Sequence, residues 1–310
     1  MQRKITKPVV FIIITFFLSY LLAAVFYSAG GKWNTPAAMA VGVAYMFMPA
    51  FSVVIVQKLI YREQVINPLG ISFKLSRWYL AAWLLPPVVA FLAFGVGLLF
   101  PGVHYDPEMT ALLARFEGVV PPEKILQMKE QAALLPIHPI WLGLLQGLIA
   151  GPTINAVAGF GEELGWRGFL LREFAHHGFW KSSGMIGLIW GIWHAPLVLQ
   201  GHNYPQHPVA GVFMMTAWCV LLSPIFSFIT LRARSVIAAA VLHGTLNSTC
   251  GLAIMTLSGG NDLLTGVTGL AGFIVLILVN IIIYLSLKRE NLKTRLSEGG
   301  HHSFFRDRKP

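Results

Sequence analysis

The chain has 310 residues, 55% of them hydrophobic and only 12% charged, with a mean hydropathy of +0.66. A soluble domain of this length carries roughly 25% charged residues, so the deficit excludes an ordinary water-facing globule and assigns most of the surface to lipid. A formal charge of +10 would suit a nucleic-acid binder, but the placement of the charges is that of a membrane protein, and no nucleic-acid partner is expected.

Eight stretches approach the ~20 apolar residues needed to cross ~30 Å of hydrocarbon. They predict an all-α fold: a polytopic bundle of about eight transmembrane helices forming a single integral membrane domain over 1–310. The first, 8–28, follows the basic run MQRKITK. It is too long for a signal-peptide core and lacks a clear small-residue cleavage site, so it reads as a retained helix. The second covers 36–57, and the third, 78–100, should kink at Pro86-Pro87. Between 101 and 138, Asp106, Glu108, Glu117, Glu123 and Glu130 alternate with apolar residues, and TALLARFEG and EKILQMKEQAALL read as short interfacial helices.

The fourth run, 139–171, is too long for one crossing, at roughly 50 Å of helix. Gly151-Pro152 offers the natural break. Spans at 184–200, 209–231, 236–257 and 263–287 follow, and residues 288–310 form a polar tail in which His301-His302 reads as a solvated pair. Cys219 and Cys250 lie inside apolar spans and read as small packing residues rather than a disulfide. Gly143, Gly147 and Gly151, and Gly187 with Gly191, form small-xxx-small patterns that predict close helix packing.

Placing the N-terminus inside puts nineteen of the 23 lysines and arginines on the cytoplasmic side and leaves Lys32, Arg115, Lys124 and Lys129 outside. Both termini and the 288–310 tail are therefore expected in the cytoplasm, with membrane lipids as partners. Independently of the charges, the expected location is a bacterial or archaeal-type plasma membrane.

Against this background, ionisable groups at membrane depth stand out. Each costs at least ~2.5–3.5 kcal/mol on insertion scales, so one that persists marks a functional site by default. Glu162, Glu163, His194 and His243 are such groups, with Arg167 beside the first two in GFGEELGWRGFLLRE. Counted from the cytoplasmic ends of their spans, Glu162 and His194 lie on the order of 15 Å deep and His243 about 10 Å, compatible with one cavity. Glu163 and Arg167 are i and i+4, the geometry of an ion pair that holds Glu163 rigid. Glu162 points about 100° away and is available as a general base. His243 and Asn247 are also i and i+4, so an imidazole N–H and an amide N–H on one face can donate to a developing oxyanion. His194 lies in WGIWHAP, where Pro196 should loosen the helix. The bland reading is structural: an ion pair and interhelical hydrogen bonds acting as glue.

These motifs resemble those of the CAAX-protease and bacteriocin-processing (CPBP, or Abi) family of intramembrane endopeptidases. EELGWR matches its E-E-x-x-x-R motif, and HGTLN supplies its last H-x-x-x-N motif through His243 and Asn247. WGIWH matches F-x-x-x-H with Trp190 in place of the usual aromatic. The resemblance covers roughly 145–250 and implies that 139–257 is the catalytic core. It also implies that Glu162 with His194 activates water while His243 and Asn247 hold the oxyanion, with Glu163 and Arg167 in support. The expected substrate is a peptide or membrane protein, possibly lipidated, and no cofactor is favoured. Two alternatives stand beside this reading: a zinc protease with Glu162, His194 and His243 as ligands, and a non-proteolytic scaffold or transporter.

Overall fold

The computed structural model describes residues 6–33, 35–114 and 120–298, with side chains through 290. Arg3, Lys4, Arg115, Glu117, Arg306, Arg308, Lys309 and the His301-His302 pair lie outside the described residues.

The described chain is helical almost throughout. Helix α1 is Lys7–Ser28, and α2 is Pro36–Val53, continued by a wide π turn over Val54–Ile60. Helix α3 (Arg77–Gly97) runs without interruption through Pro86-Pro87, where a kink was expected. A two-residue strand β1 (His104–Tyr105) and two short helices follow, α4 (Thr110–Ala114) and α5 (Pro122–Leu134), where the interfacial helices were expected. Then come α6 (Pro139–Ala150), a π turn (Gly151–Asn155), α7 (Ala156–Glu163), a third π turn (Leu164–Leu170) and α8 (Leu171–Glu173). The remainder is α9 (Phe179–Trp193), α10 (Ala195–Val198), α11 (Pro208–Ala233), α12 (Val236–Thr249), β2 (Leu257–Ser258) and α13 (Leu270–Glu298). The last span thus continues as helix eleven residues past the predicted boundary at 287.

Sequence signals set these boundaries. Thr35 caps α2 by accepting from the Ala38 N–H at 3.2 Å, with Pro36 at the first helical position, where a missing N–H costs nothing. Ser235 caps α12 in the same way through the Ile237 N–H at 3.1 Å.

Among the described residues, seven helices are long and apolar enough to span a membrane: 7–28, 36–60, 77–97, 139–173, 208–233, 236–253 and 270–290. The eighth predicted span is α9, 15 residues long, which breaks at His194 and resumes as α10. Pro196 causes the break, because it has no N–H to offer the Ile192 carbonyl. That carbonyl instead accepts from the Tyr20 hydroxyl at 2.8 Å, and the next one, of Trp193, accepts from Tyr45 at 2.7 Å.

The break expected at Gly151-Pro152 does not occur. The chain widens there into the π turn and continues as one 35-residue span, because a wide turn absorbs the missing proline donor without ending the helix. Glycines then permit close approach. A Cβ on Gly151 would lie 2.6 Å from the Thr245 hydroxyl, and one on Gly187 would lie 2.6 Å from the Val220 Cα. These contacts seat the long span against α12 and α9 against α11. Both cysteines are free thiols.

The loops segregate to two ends of the bundle. At one end Lys7 lies 2.6 Å from Glu63 and 3.4 Å from Glu173, and Arg232 lies 2.6 Å from Glu290. At the other, β1 and β2 pair antiparallel, His104 opposite Ser258, and Asp262 joins Gln206 and His207. Large apolar residues such as Ile13, Phe17, Leu145 and Ile149 remain exposed on the outer faces of the helices, as lipid contact requires.

Candidate active site

Helix α7 carries the two carboxylates inward because its glycines admit other helices. A Cβ on Gly161 would meet the Met46 carbonyl of α2 at 2.7 Å, and one on Gly159 would meet the Ala240 carbonyl of α12 at 3.0 Å. Pressed from both sides, Glu162 and Glu163 keep 2% and 0% of their surface exposed, and Arg167 keeps 2%. Buried charge of this kind is tolerated only where it is paired and hydrogen-bonded.

The pairing is dense. Arg167 Nη1 lies 3.1 Å from Glu163 Oε2 and 3.4 Å from Oε1, the ion pair expected from the i, i+4 spacing. Its guanidinium also sits 4.5 Å from the Trp190 ring and 4.6 Å from the Phe226 ring. Its Nε and Nη2 find no hydrogen-bond acceptor among the described residues and face these π surfaces instead. His243 Nδ1 donates to Glu163 Oε1 at 2.7 Å, while its Nε2 stands 3.8 Å from Glu162 Oε1. One imidazole is therefore hydrogen-bonded to Glu163 and stands beside Glu162 without bonding it. Two side chains about 100° apart on one helix face a single ring because its two nitrogens point in different directions.

Glu162 is not otherwise unengaged, contrary to the sequence expectation. Its Oε2 accepts from the Trp190 indole N–H at 2.7 Å and from the Trp166 indole N–H at 3.3 Å. Only Oε1 is left toward His243. Trp166 was missed, and Trp190 was noted only as the motif's aromatic, because tryptophan in an apolar run reads as core. The available signal was spacing, with Trp166 four residues after Glu162 and Trp190 four before His194.

His194 joins the group through Trp190, whose backbone carbonyl accepts from its Nδ1 at 2.8 Å, leaving Nε2 as the open nitrogen. Because α9 starts at Phe179 rather than near 184, His194 lies fifteen residues from the start of its helix rather than ten. Around it lie Cys219, with Sγ 4.0 Å from Nδ1, and His202, whose ring is parallel to it with centroids 6.4 Å apart. From sequence Cys219 read as a packing residue, and His202 was not singled out. Asn247, one turn beyond His243 on α12, is exposed, and no hydrogen bond of its side chain is present among the described residues. The structure thus gathers Glu162, Glu163, Arg167 and His243 directly, brings in His194 through Trp190, and leaves Asn247 at the margin. Among the described residues, no three His, Cys, Asp or Glu side chains are grouped closely enough to hold a metal ion, and the candidate zinc set Glu162, His194 and His243 is no exception.

The segment that holds this cluster has known relatives. Residues 138–249 match the family described as type II CAAX prenyl endopeptidase Rce1-like. By that segment the chain is similar to the CAAX prenyl endopeptidases. A CAAX prenyl protease 2 of Methanococcus maripaludis is 28% identical over 96 residues, which cover 28% of this chain and 34% of the relative. The chain therefore spans about a third of the length of the curated relative it matches. Every side chain of the cluster, His202 included, lies within that segment, and of the helices packed against it α2 lies outside.

Proposed function

We propose that the chain is an intramembrane endopeptidase that hydrolyses a peptide bond of a membrane-associated or lipidated peptide, using water activated by Glu162 with His194. The observation that carries this reading is the buried carboxylate–imidazole cluster inside the family segment. Oε1 of Glu162 is its one oxygen without an indole donor, and it faces His243 Nε2 across 3.8 Å. That gap exceeds a hydrogen bond but lets one reacting oxygen touch both groups.

In this mechanism Glu162 takes a proton from the attacking water, with the open nitrogen of His194 helping to orient it. The hydroxide adds to the scissile carbonyl carbon. The resulting oxyanion accepts from protonated His243, whose ring Glu163 fixes through Nδ1, and from the Asn247 amide. Glu162 then returns its proton to the departing amine, yielding a carboxylic acid and an amine. Arg167 acts through Glu163 and touches no reacting atom. Both termini are assigned to the cytoplasm, supported by the lysine and arginine asymmetry. No metal enters this scheme; His243 Nδ1 is committed to Glu163 and His194 Nδ1 to a backbone carbonyl.

The test uses purified protein in detergent and internally quenched peptides with and without a farnesylated cysteine. Wild type should cleave, chelator should not slow it, and Glu162→Gln should lose on the order of 10²–10⁴ in rate with an unchanged melting temperature. A Gln variant that keeps more than about a tenth of the rate removes Glu162 as the base. One tightly bound zinc in the active protein, removable with loss of activity, replaces this mechanism with the metal one. A wild type that cleaves none of the peptides returns the chain to the scaffold or transporter reading.

A further inference from the structure

At the end of the bundle where Lys7 meets Glu63, the chain leaving α2 folds into a small built structure that the catalytic scheme does not use. Gln57, fully buried, donates from its side-chain amide to the Gln64 backbone carbonyl, and the Gln57 backbone carbonyl accepts from the Glu63 N–H at 2.8 Å. Arg62 adopts a left-handed backbone with φ +55, uncommon for a residue other than glycine. The result is an open cleft of about 630 Å³ lined by Lys58, Arg62, Glu63, Gln64, Val65 and Ile66, with Asn67 at its end.

Its charge is unbalanced. The one acidic wall residue, Glu63, is neutralised from outside the cleft by Lys7 at 2.6 Å and Arg172 at 3.9 Å. Neither Lys58 nor Arg62 has an ion-pair partner among the described residues. Two uncompensated cations and the amides of Gln64 and Asn67 therefore face a hollow large enough for a small anion. The surroundings are apolar: Leu59, Ile60 and Ile66 are 63%, 52% and 63% exposed at the end of a membrane span. A basic cleft with an exposed apolar rim, at the depth where a spanning helix meets headgroups, suits a ligand that is anionic at one end and oily at the other.

We propose that this cleft binds a phosphate-bearing anion, held by Lys58 and Arg62: the headgroup of an anionic phospholipid, or free phosphate where no such lipid is present. Through Glu63 the cleft is joined to Lys7 and Arg172, hence to the start of α1 and the end of the span that carries Glu162.

Native mass spectrometry of the delipidated full chain, titrated with phosphatidylglycerol, phosphatidylcholine or inorganic phosphate, tests this. Wild type should prefer phosphatidylglycerol over phosphatidylcholine. K58Q/R62Q should lose that preference by about 10- to 30-fold, from roughly 1 kcal/mol per cation near a membrane surface. The charge-matched K74Q/R77Q, outside the cleft, should keep it, as should K58R/R62K. Inorganic phosphate that binds wild type but not K58Q/R62Q, without lipid preference, assigns the same site to the free anion. Equal losses in K58Q/R62Q and K74Q/R77Q would show only diffuse surface charge and overturn the proposal. So would unchanged binding in K58Q/R62Q. Equal melting temperatures in ligand-free detergent confirm that all variants are folded.

Discussion

Two histidine–carboxylate pairs in this protein have nearly the same length and very different settings. His243 and Glu163 meet at 2.7 Å in the interior, with 5% and 0% of their side chains exposed. His207 and Asp262 meet at 2.6 Å at the outer loops, with 39% and 11% exposed. The first pair joins elements 80 residues apart, and its carboxylate is also bound to Arg167. The second ties the α10–α11 loop to the segment before α13, where Asp262 also accepts from the Gln206 N–H at 2.7 Å. Distance alone does not separate them. What separates them is whether water can replace a lost partner. In the interior it cannot, so each group is held by several others. At the surface it can, and the pair serves to tether loops.

The largest effect that would break this contrast is expected at the buried end. Glu163→Ala strands Arg167 and releases His243, and Arg167→Ala strands Glu163. Each should cost on the order of 3–5 kcal/mol of stability and lower activity, as read by thermal melts in detergent beside the peptide assay. Melts unchanged in both variants would remove the ion pair from the structural account.

Asn247 lies between the two settings, on α12 with His243 but exposed. If it donates to the oxyanion, Asn247→Ala should lower kcat by on the order of 10²–10³ with little change in KM, and Asn247→Asp should be worse. A raised KM at constant kcat would instead make it a uniform substrate contact.

Trp190→Phe sharpens the interior half, because it keeps a ring beside Arg167 and deletes the indole N–H from Glu162. Loss of a hydrogen bond to a charged group should cost roughly 1.5–3 kcal/mol, seen as a lower melting temperature together with slower cleavage. A variant with wild-type stability and rate would show that Trp166 alone holds Glu162.

The smallest effect belongs to the surface pair. Asp262→Asn should change stability by about 1 kcal/mol or less, and the difference should shrink further in high salt. A loss as large as that of Glu163→Ala would mean that the outer loops, rather than the buried cluster, hold the bundle together.

Much of this arrangement was legible in the sequence, for identifiable reasons. Apolar runs of about 20 residues located the spans, because a backbone in hydrocarbon has few alternatives to helix. The Glu163–Arg167 pair was visible because i, i+4 neighbours are set by local geometry. The glycine contacts followed from their four-residue spacing. The π turn at Gly151–Asn155 was not legible, since a proline in a helix can kink, break or widen it, and the choice depends on what packs alongside. The pairing of His104–Tyr105 with Leu257–Ser258 was also invisible, because two residues a side carry no periodic pattern.

The sequence by itself determined that the chain is a helical membrane protein, which segments are apolar enough to cross, and which ionisable side chains lie within them at a cost. Composition and local spacing carry that information because the bilayer penalises every unpaired polar group. Only the tertiary structure decided the partners: His243 on Glu163 and beside Glu162, Trp166 and Trp190 on Glu162, the backbone of Trp190 on His194, and Asn247 at the margin. Those contacts depend on how α7, α9 and α12 approach one another across stretches of up to 80 residues, and the approach is set by glycine contacts and wide turns summed over the whole bundle rather than by any one segment.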